Sequence, residues 1–405
     1  MSNEKSGEIK IFSLQENLKQ GLLLVGHVAG KNINLPILNN ILIKAGAGNI
    51  RLVATNLEVG IISAVRGKIE TEGSFTVNAK IISDCIGLLP NKKIGLEQKG
   101  DDLLVDCENY QSKIRGQSAE EFPLIPGVDK KNYFSAQAEE VGRAISQVIF
   151  ATPLSETRLE LSGVLFVFSG DSLTLAATDS YRLAEKKIKT KYSASHGATP
   201  NKSSTVHETA LDKPNGQEEK KIIVPAKTLQ ELLRVLSVNP DGEAEATSQK
   251  IRFYISDNQI LFTYGSTELV SRLIEGQYPD YQQIIPTSSK TKIVINRQEL
   301  IRAVKMASLF SKTGINDVNL DFPLGKNLVV ISSVSSQTGE NITNLEAVVA
   351  GDENSIVVNY RYLLEGLGNI ETEMVKIEVI DGNTPCLIRP EQDESYLYII
   401  MPIKQ

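Results

Sequence analysis

The chain has no tryptophan, three cysteines and three histidines among its 405 residues. An odd number of cysteines, with no Cys-x-x-Cys spacing, argues against a disulfide framework and against a zinc site. His196 and His207 lie in a long polar segment, which leaves only His27 for any cluster. The sequence therefore predicts no catalytic residue, no metal site and no cofactor.

Long apolar runs are also missing. No stretch approaches the roughly 18 apolar residues of a membrane-spanning helix, and the chain begins with the polar segment MSNEKSGEIK. The formal net charge of −6 and the 41% hydrophobic content are ordinary for a globular protein. We expect a cytoplasmic protein that does not contact a membrane.

Two short motifs are similar to parts of catalytic sites but have simpler explanations. AGAGN at 45–49 lies between two apolar strands and does not open a helix, as a phosphate-binding loop must. Thr178 and Asp179 end a strand, where Asp and Asn commonly form a turn. An enzyme with an unrecognised site is kept as an alternative.

The chain contains one pattern three times. After an apolar strand, an Asn or Pro is followed by apolar residues at the i, i+3, i+4, i+7 spacing of an amphipathic helix, starting at Asn78, Pro225 and Asn359. In the middle copy the stripe is Leu229, Leu232, Leu233 and Leu236. An earlier helix precedes each of these, and we expect it to be capped by Ser13, Ser135 and Asn296.

These repeats predict an α+β protein of three domains, each with two helices packed on antiparallel sheets. The expected domains are 1–131, 132–288 and 289–405. The middle copy is about 25 residues longer than the others, because a polar segment rich in Ser, Thr, Gly, Pro and Lys occupies about 190–220. Such a segment buries too little to order itself, so we expect it to be a mobile loop.

Basic residues recur on the predicted helices of this acidic protein. Lys227 and Arg234 are seven residues apart and share a face, and Arg143, Arg302 and Lys305 lie on helices of the same class. One positive surface would suit sequence-independent contact with phosphates. Solvated helix faces with i, i+4 ion pairs explain the same pattern equally well.

A series of segments resembles the bacterial DNA polymerase III beta subunit, the family of replicative sliding clamps. The segments follow the family's order across all three domains: LPILNNIL (35–42), VATNLEVGI (53–61), FTVNAK (75–80), EFP (121–123), LAATDSYRLA (175–184), VPAK (224–227), YPDYQQIIP (278–286) and YIIMPIKQ at the end. The resemblance implies three clamp domains, with two copies joined head to tail into a homodimeric ring around double-stranded DNA. It further implies a non-enzymatic processivity factor whose partners are the DNA polymerase III alpha subunit, the clamp loader and other proteins with a clamp-binding motif.

The same resemblance implies two sets of site residues. In the DNA-binding set, the resemblance implies Lys31, Asn32, Lys80, Lys227 and Arg234, and the geometry of the predicted helices adds Arg143, Arg302, Lys305 and Arg361. The set for a pocket that docks short Gln- and Leu-containing peptides is Arg158, Leu161, Thr178, Tyr181, Arg182, Leu183, Pro279, Gln283, Ile284, Asn359, Tyr362, Pro385, Ile399, Ile400, Met401 and Pro402. A protein-interaction scaffold that does not encircle DNA is the alternative function.

Two positions depart from the family pattern. Leu159 and Glu160 stand where some members carry tyrosines that touch DNA, and a carboxylate there disfavours such contact. Gln283 stands where an Arg is common, so we expect a different affinity for partner peptides.

Overall fold

A computed structural model describes residues 8–30, 34–153, 155, 157–194, 219–238, 249–312 and 314–404. Its described residues contain six α-helices. They are α1 (Gln15–Gly26), α2 (Ala79–Leu88), α3 (Ala138–Ile149), α4 (Ala226–Ser237), α5 (Arg297–Ser308) and α6 (Tyr360–Gly368). The two helices predicted for each repeat are therefore present.

The rest of the described fold is mainly strands. The first thirteen are β1 (Lys10–Leu14), β2 (Asn40–Gly46), β3 (Asn49–Thr55), β4 (Val59–Val65), β5 (Gly67–Thr71), β6 (Gly73–Asn78), β7 (Lys93–Lys99), β8 (Asp102–Cys107), β9 (Tyr110–Ser118), β10 (Asn132–Gln137), β11 (Gly163–Ser169), β12 (Ser172–Thr178) and β13 (Arg182–Lys189). The others are β14 (Lys191–Ala194), β15 (Lys220–Pro225), β16 (Lys250–Ile255), β17 (Gln259–Tyr264), β18 (Thr267–Arg272), β19 (Thr291–Asn296), β20 (Asp317–Phe322), β21 (Leu328–Ser335), β22 (Gly339–Gly351), β23 (Asn354–Asn359), β24 (Met374–Val379), β25 (Cys386–Pro390) and β26 (Tyr396–Ile400).

The described residues form two compact units, and each unit contains one large sheet. The first unit takes residues from 1–139, 191–210 and 227–273, and its fourteen strands run in the order β14, β10, β16, β17, β18, β4, β3, β2, β6, β9, β8, β7, β1, β5. The second takes residues from 140–190, 211–226 and 274–405, with twelve strands in the order β15, β11, β12, β13, β26, β25, β24, β19, β22, β21, β20, β23.

Within each unit, neighbouring repeats are joined by one antiparallel strand pair. In the first unit β4 pairs with β18, and in the second β13 pairs with β26. In each pair one strand, β4 or β13, follows the turn after β3 or β12. The other strand, β18 or β26, is the last strand of the next repeat. The sequence did not predict these junctions, because they depend on pairing between segments more than 200 residues apart.

Apolar helix faces pack on the sheets as the spacing predicts. In α2 the residues Ile82 and Ile86 are fully buried, and in α6 Leu363 and Leu367 are buried as well. In α4 the buried face holds Leu229, Leu232 and Val235, and the predicted Leu233 and Leu236 are only half-buried. Removing these side chains from water is the main stabilising term for such helices.

The second helices begin at the predicted places, but two of the three predicted caps of the first helices are wrong. The Asn78 and Asn359 side chains accept hydrogen bonds from the first-turn amides of α2 and α6, and Asn296 caps α5 in the same way. Ser13 instead lies in β1, where its hydroxyl donates to the Arg66 carbonyl, and α1 begins at Gln15. Ser135 lies in β10, since strand pairing extends past it.

Within the segment LPILNNIL, Pro36–Asn39 is a 3₁₀ helix and not part of a strand, because proline has no amide hydrogen for a sheet and fits the first helical turn. The expected mobile loop at about 190–220 is wrong at its start, because Lys191–Ala194 forms a strand that pairs with β10. Residues 195–218 of that segment lie outside the described residues.

Hairpin and thiol predictions can also be compared with the structure. AGAGN forms the tight turn between β2 and β3, with positive φ at Ala47 and Gly48, as the sequence indicates. The three cysteines are free thiols. No helix among the described residues is both long and apolar enough to cross a membrane.

Candidate peptide pocket and nucleic-acid interface

The turn between β12 and β13 is the centre of the predicted pocket. Thr178 Oγ1 donates to the Arg182 carbonyl at 2.6 Å and accepts from the Ser180 amide at 3.1 Å. Asp179 Oδ1 accepts from the amides of Tyr181 and Arg182 at 2.9 and 3.1 Å. The Thr–Asp pair therefore fixes a turn, as its sequence context indicates, and Ser180 adopts a positive φ of 78° there.

Arg182 turns inward from this turn and is almost entirely enclosed. Its Nε donates to Asp179 Oδ2 at 2.9 Å, its Nη2 donates to the Phe150 carbonyl at 2.8 Å, and its Nη1 donates to Glu365. Burial acts to lower the pKa of the guanidinium, but the hydrogen bond to Glu365 and the nearby acidic groups raise it overall. The arginine thus stays charged and ties the turn to α6 and to Phe150, the residue after α3.

Two aromatic rings complete the surroundings of Arg182. The guanidinium carbon lies 4.6 Å from the Tyr362 ring centroid and 5.5 Å from that of Phe150. The buried Tyr398 donates from its hydroxyl to the Tyr362 carbonyl at 2.9 Å. Gly366 allows this packing, since a Cβ there would lie 2.1 Å from the Tyr398 ring.

The floor of the predicted pocket is apolar. Leu161, Leu183 and Ile399 are buried in one core cluster with Tyr278 and Tyr281. The strand pair β13–β26 sets Leu183 opposite Ile399 and Arg182 opposite Ile400. Burial raises the pKa of Tyr278, whose hydroxyl accepts from the Thr178 amide. These buried side chains form the floor of the predicted pocket.

The rim is formed by more exposed residues. Tyr181 is 64% exposed and Ile284 39% exposed, and Met401 is half-buried with its amide donating to the Tyr181 carbonyl at 2.8 Å. Half-buried residues at the other predicted positions are Pro279, Asn359, Tyr362, Pro385 and Pro402. Exposed apolar groups around an apolar floor are suited to hold a short peptide.

The polar residues of the rim form hydrogen bonds and an ion pair with neighbouring residues. Arg158 Nε bonds Glu160 at 3.0 Å, its Nη1 bonds the Ser180 hydroxyl at 3.3 Å, and Gln283 donates to Asp280 at 2.7 Å. The predicted pocket set lacks three residues that organise this site, namely Asp179, Glu365 and Tyr398; of these, only Asp179 was recognised from the sequence, as part of a turn. In the sequence Glu365 lies one turn after Arg361, and this spacing gives no sign of a contact with Arg182.

The predicted DNA-binding residues that the structure describes lie on helices, and all are exposed: Lys80, Arg143, Lys227, Arg234, Arg302, Lys305 and Arg361. Lys31 and Asn32 lie outside the described residues. Arg361 lies beside the Tyr360 ring at 5.9 Å. Lys305 is exposed in the last turn of α5, and no acidic residue in the described parts of the chain forms an ion pair with it.

Several of these cations have acidic neighbours. Lys80 lies 3.9 Å from Asp84, Arg143 3.7 Å from Glu371, Arg234 2.6 Å from Glu231 and Arg302 4.0 Å from Glu299. Exposed pairs of this kind contribute about 0–1 kcal/mol, so they can exchange for a phosphate at little cost. Among the described residues, no group of three or more His, Cys, Asp or Glu side chains is placed to hold a metal.

Comparison with known proteins agrees with this architecture. Models of the DNA polymerase III beta subunit match the N-terminal domain at 11–126, the central domain at 136–213 and 198–280, and the C-terminal domain at 282–404. The beta sliding clamp of Synechococcus elongatus is 28% identical, with 98% of this chain and 99% of that protein covered. The clamp of Staphylococcus epidermidis is 27% identical, with 91% of this chain and 92% of that protein covered.

Solved structures give the same result. The DNA polymerase sliding clamp from Bacillus subtilis is 26% identical with a TM-score of 0.86, and the DNA polymerase III beta subunit from Thermotoga maritima is 25% identical with a TM-score of 0.83. In both cases 98% of this chain and all of the other chain are covered. The three domain models match in order along nearly the whole chain, and the chain therefore belongs to the DNA polymerase III beta subunit family of sliding clamps.

Proposed function

We propose that this chain forms a closed ring around duplex DNA and tethers the replicative polymerase to it, without catalysing a reaction. The ordered match to all three beta-subunit domain models carries this proposal. The proposed domains are 1–131, 132–288 and 289–405, and the proposed site of action is the cytoplasm. Such a ring acts by topology, so tight contact with DNA is unnecessary and sliding costs little.

Two copies are proposed to join head to tail through a strand pair of the same kind as the two pairs that join neighbouring repeats within the chain. Each internal junction pairs a strand after the repeated turn, β4 or β13, with the last strand of the next repeat, β18 or β26. The remaining strands of these two kinds are β22 and β9. Among the described strands, residues 339–346 of β22 pair only with β21, and residues 110–115 of β9 pair only with β8.

Burial at equivalent positions supports this pairing. At the internal junctions the facing pairs Ser63–Thr267 and Lys186–Tyr396 are buried. The equivalent residues on the open edges are Ile342, which is 62% exposed, and Tyr110, which is 55% exposed. Pairing β22 with β9 of a second copy would cover both.

The helices beside these strands give a second sign of an open edge. Val235 on α4 is buried at a corner formed with α1 and β4, around a cavity of about 560 Å³. Leu88 holds the equivalent place on α2 and is 86% exposed. On α5, Met306 is 51% exposed in a groove of about 460 Å³ lined by β22. A second copy would supply Leu88 to the groove beside Met306.

Within such a ring, the exposed helix cations are proposed to face DNA. The seven described residues, with Lys31 and Asn32, form this set. Their contact with phosphates would be weak and independent of sequence, because exposed side chains keep most of their hydration. The acidic partners at Asp84, Glu231 and Glu299 would keep the attraction low enough for sliding.

The pocket around Tyr181, Ile284 and Met401 is proposed to dock the polymerase III alpha subunit, the clamp loader and other proteins with a clamp-binding motif. A Leu or aromatic anchor would lie over the apolar floor, and a Gln could bond the polar rim. Because the Arg182 side chain is fully engaged within the fold, it is proposed to position Tyr362 and not to bind the peptide itself.

Retention on DNA of two shapes tests the ring. The protein is loaded on a nicked circular duplex, and half of the sample is then cut once. We expect the protein to stay on the circle at high salt and to leave the linear form, since only an encircling ring distinguishes the two. Equal loss from both forms would contradict encirclement and favour a scaffold that binds proteins alone.

A further inference from the structure

The turn at the centre of the peptide pocket has a close copy in the first unit. Thr55 Oγ1 donates to the Val59 carbonyl at 2.9 Å and accepts from the Leu57 amide at 3.1 Å. Asn56 Oδ1 accepts from the amides of Glu58 and Val59 at 3.0 and 2.8 Å. Leu57 has a φ of 76°, as Ser180 has 78° in the pocket. The two turns share these four hydrogen bonds and the positive φ.

The elements around the turn are repeated too. Leu38 lies in a 3₁₀ helix, and its amide bonds the Leu35 carbonyl at 3.1 Å, as the Leu161 amide bonds the Arg158 carbonyl at 3.0 Å. Leu38 is buried in a cluster with Phe122, and Ile125 packs against that cluster. This segment begins with Phe122 and a proline, and the corresponding pocket segment begins with Tyr278 and a proline.

Three positions change character between the two sites. In the pocket they are the polar residues Arg158, Ser180 and Asp280. In the first unit they are Leu35, Leu57 and Leu124, which are 45%, 50% and 95% exposed. We call these three residues the leucine surface. A leucine at a turn position with positive φ is costly for the backbone, so its presence there points to a use for the side chain.

The charges beside the leucine surface are mainly acidic. Glu58 lies in the same turn, and Glu120 and Glu121 precede Phe122, and all three are exposed. Of the described cations, Arg272 lies closest along the strand pairing, because its amide bonds the Glu58 carbonyl. Such a site would attract a positively charged chain and repel an acidic one.

We propose that the leucine surface is a second docking site, and that its occupant is a short extended peptide with an apolar anchor and basic flanking residues. The apolar anchor would cover Leu57 and Leu124, which are otherwise left in water. The basic residues would pair with Glu58, Glu120 and Glu121. A ring with both sites would hold two partners on one subunit.

Selection from a display library of random decapeptides on the full-length protein tests the proposal. We expect a class of peptides with an excess of Lys and Arg around a Leu or aromatic residue. Their affinity, measured by fluorescence anisotropy, should fall at least about tenfold in Leu57→Ser/Leu124→Ser. Glu58→Gln/Glu121→Gln should weaken the same peptides and reduce their salt dependence, without altering the apolar contact.

Ile284→Ser is the matched control, because it alters the peptide pocket alone. Peptides of the proposed class should bind this variant within about twofold of the unchanged protein. Leu57, Leu124 and Ile284 are all exposed. Leu57→Ser/Leu124→Ser and Ile284→Ser should therefore melt at the same temperature as the parent. If no selected peptide responds to the leucine changes, or if those that respond are acidic or are lost equally in Ile284→Ser, the second site is ruled out. If the proposed peptide pocket were wrong, the result would be a different one: Gln- and Leu-containing peptides would bind Ile284→Ser as tightly as the parent.

Discussion

The guanidinium of Arg182 lies over the ring of Tyr362, with 4.6 Å between its carbon and the ring centroid. The same group bonds Asp179 and Glu365, and the Arg182 side chain is 9% exposed. Replacement by Met would leave Asp179, whose side chain is 11% exposed, as a nearly buried carboxylate without its partner. We expect Arg182→Met to lower the free energy of unfolding by about 3 kcal/mol, seen as a fall of several degrees in melting temperature.

Arg361→Met is the control for this change. Arg361 is exposed at the start of α6, and its nearest aromatic contact is the neighbouring Tyr360. Loss of such a side chain should alter the free energy of unfolding by no more than about 0.5 kcal/mol. Equal melting temperatures for the two variants would contradict a structural role for Arg182.

Lys186 and Asp393 give the protein a pH-dependent contact. Burial alone would raise the pKa of the Asp393 carboxyl, but hydrogen bonds from Lys186 and Ser395 outweigh it and hold the pKa below its ordinary value. A carboxylate with a lowered pKa stabilises the fold above its unfolded pKa of about 3.9, and this stabilisation is lost as pH falls through the folded value. Asp393→Asn should therefore melt below the parent at pH 7, and the difference should shrink as the pH falls below about 4. A difference that stays constant from pH 7 to 3 would contradict the assignment.

The open edge of β22 predicts a defect in self-association. Ile342→Ser removes an apolar side chain from the proposed β22–β9 contact and should weaken the dimer by about tenfold or more. Val348→Ser is a matched control, because Val348 lies on the same face of β22, is 64% exposed, and belongs to the part already paired with β19. Sedimentation over a concentration series gives both dissociation constants. Equal weakening by the two variants would place the interface elsewhere.

The pocket rim predicts a loss of peptide binding without a loss of fold. Ile284→Ser should weaken a Gln- and Leu-containing peptide by about tenfold, since it removes an apolar wall of the site. Ile315→Ser is the control, because Ile315 is 48% exposed on a loop before β20. Fluorescence anisotropy with a labelled peptide measures both affinities. A peptide that binds both variants equally well would show that Ile284 is not part of the site.

Much of the fold could be predicted because the local signals are strong. Asn78 and Asn359 combine a capping side chain with an apolar stripe behind it, and both helices begin where the sequence indicates. Ser13 and Ser135 were poorer signals, because a serine near a strand end can equally continue the strand. The turn at Asn56 was predictable as well, because its Thr-Asn pair is a strong local signal.

The arrangement of the site was less predictable. Arg182 looks like a surface residue in sequence, and only the fold shows that Glu365, 183 residues later, makes its burial tolerable. Leu57 similarly looks like the next apolar residue of a strand. Its positive φ and exposure follow from the turn geometry set by Thr55 and Asn56. The long-range contact between Arg182 and Glu365 leaves no periodic trace in the chain.

The helix cations predict a salt dependence for binding to duplex DNA. Each phosphate that a side chain neutralises adds about 0.9 to the slope of log K against log salt. Arg302→Ala/Lys305→Ala should therefore lower that slope by up to about 1.8, measured by anisotropy of a labelled linear duplex from low to moderate salt. Lys326→Ala is the control, because Lys326 is exposed in the loop between β20 and β21 and is not on a helix. If all three proteins give the same slope, α5 does not face DNA, and the exposed cations on this helix are an ordinary solvated surface.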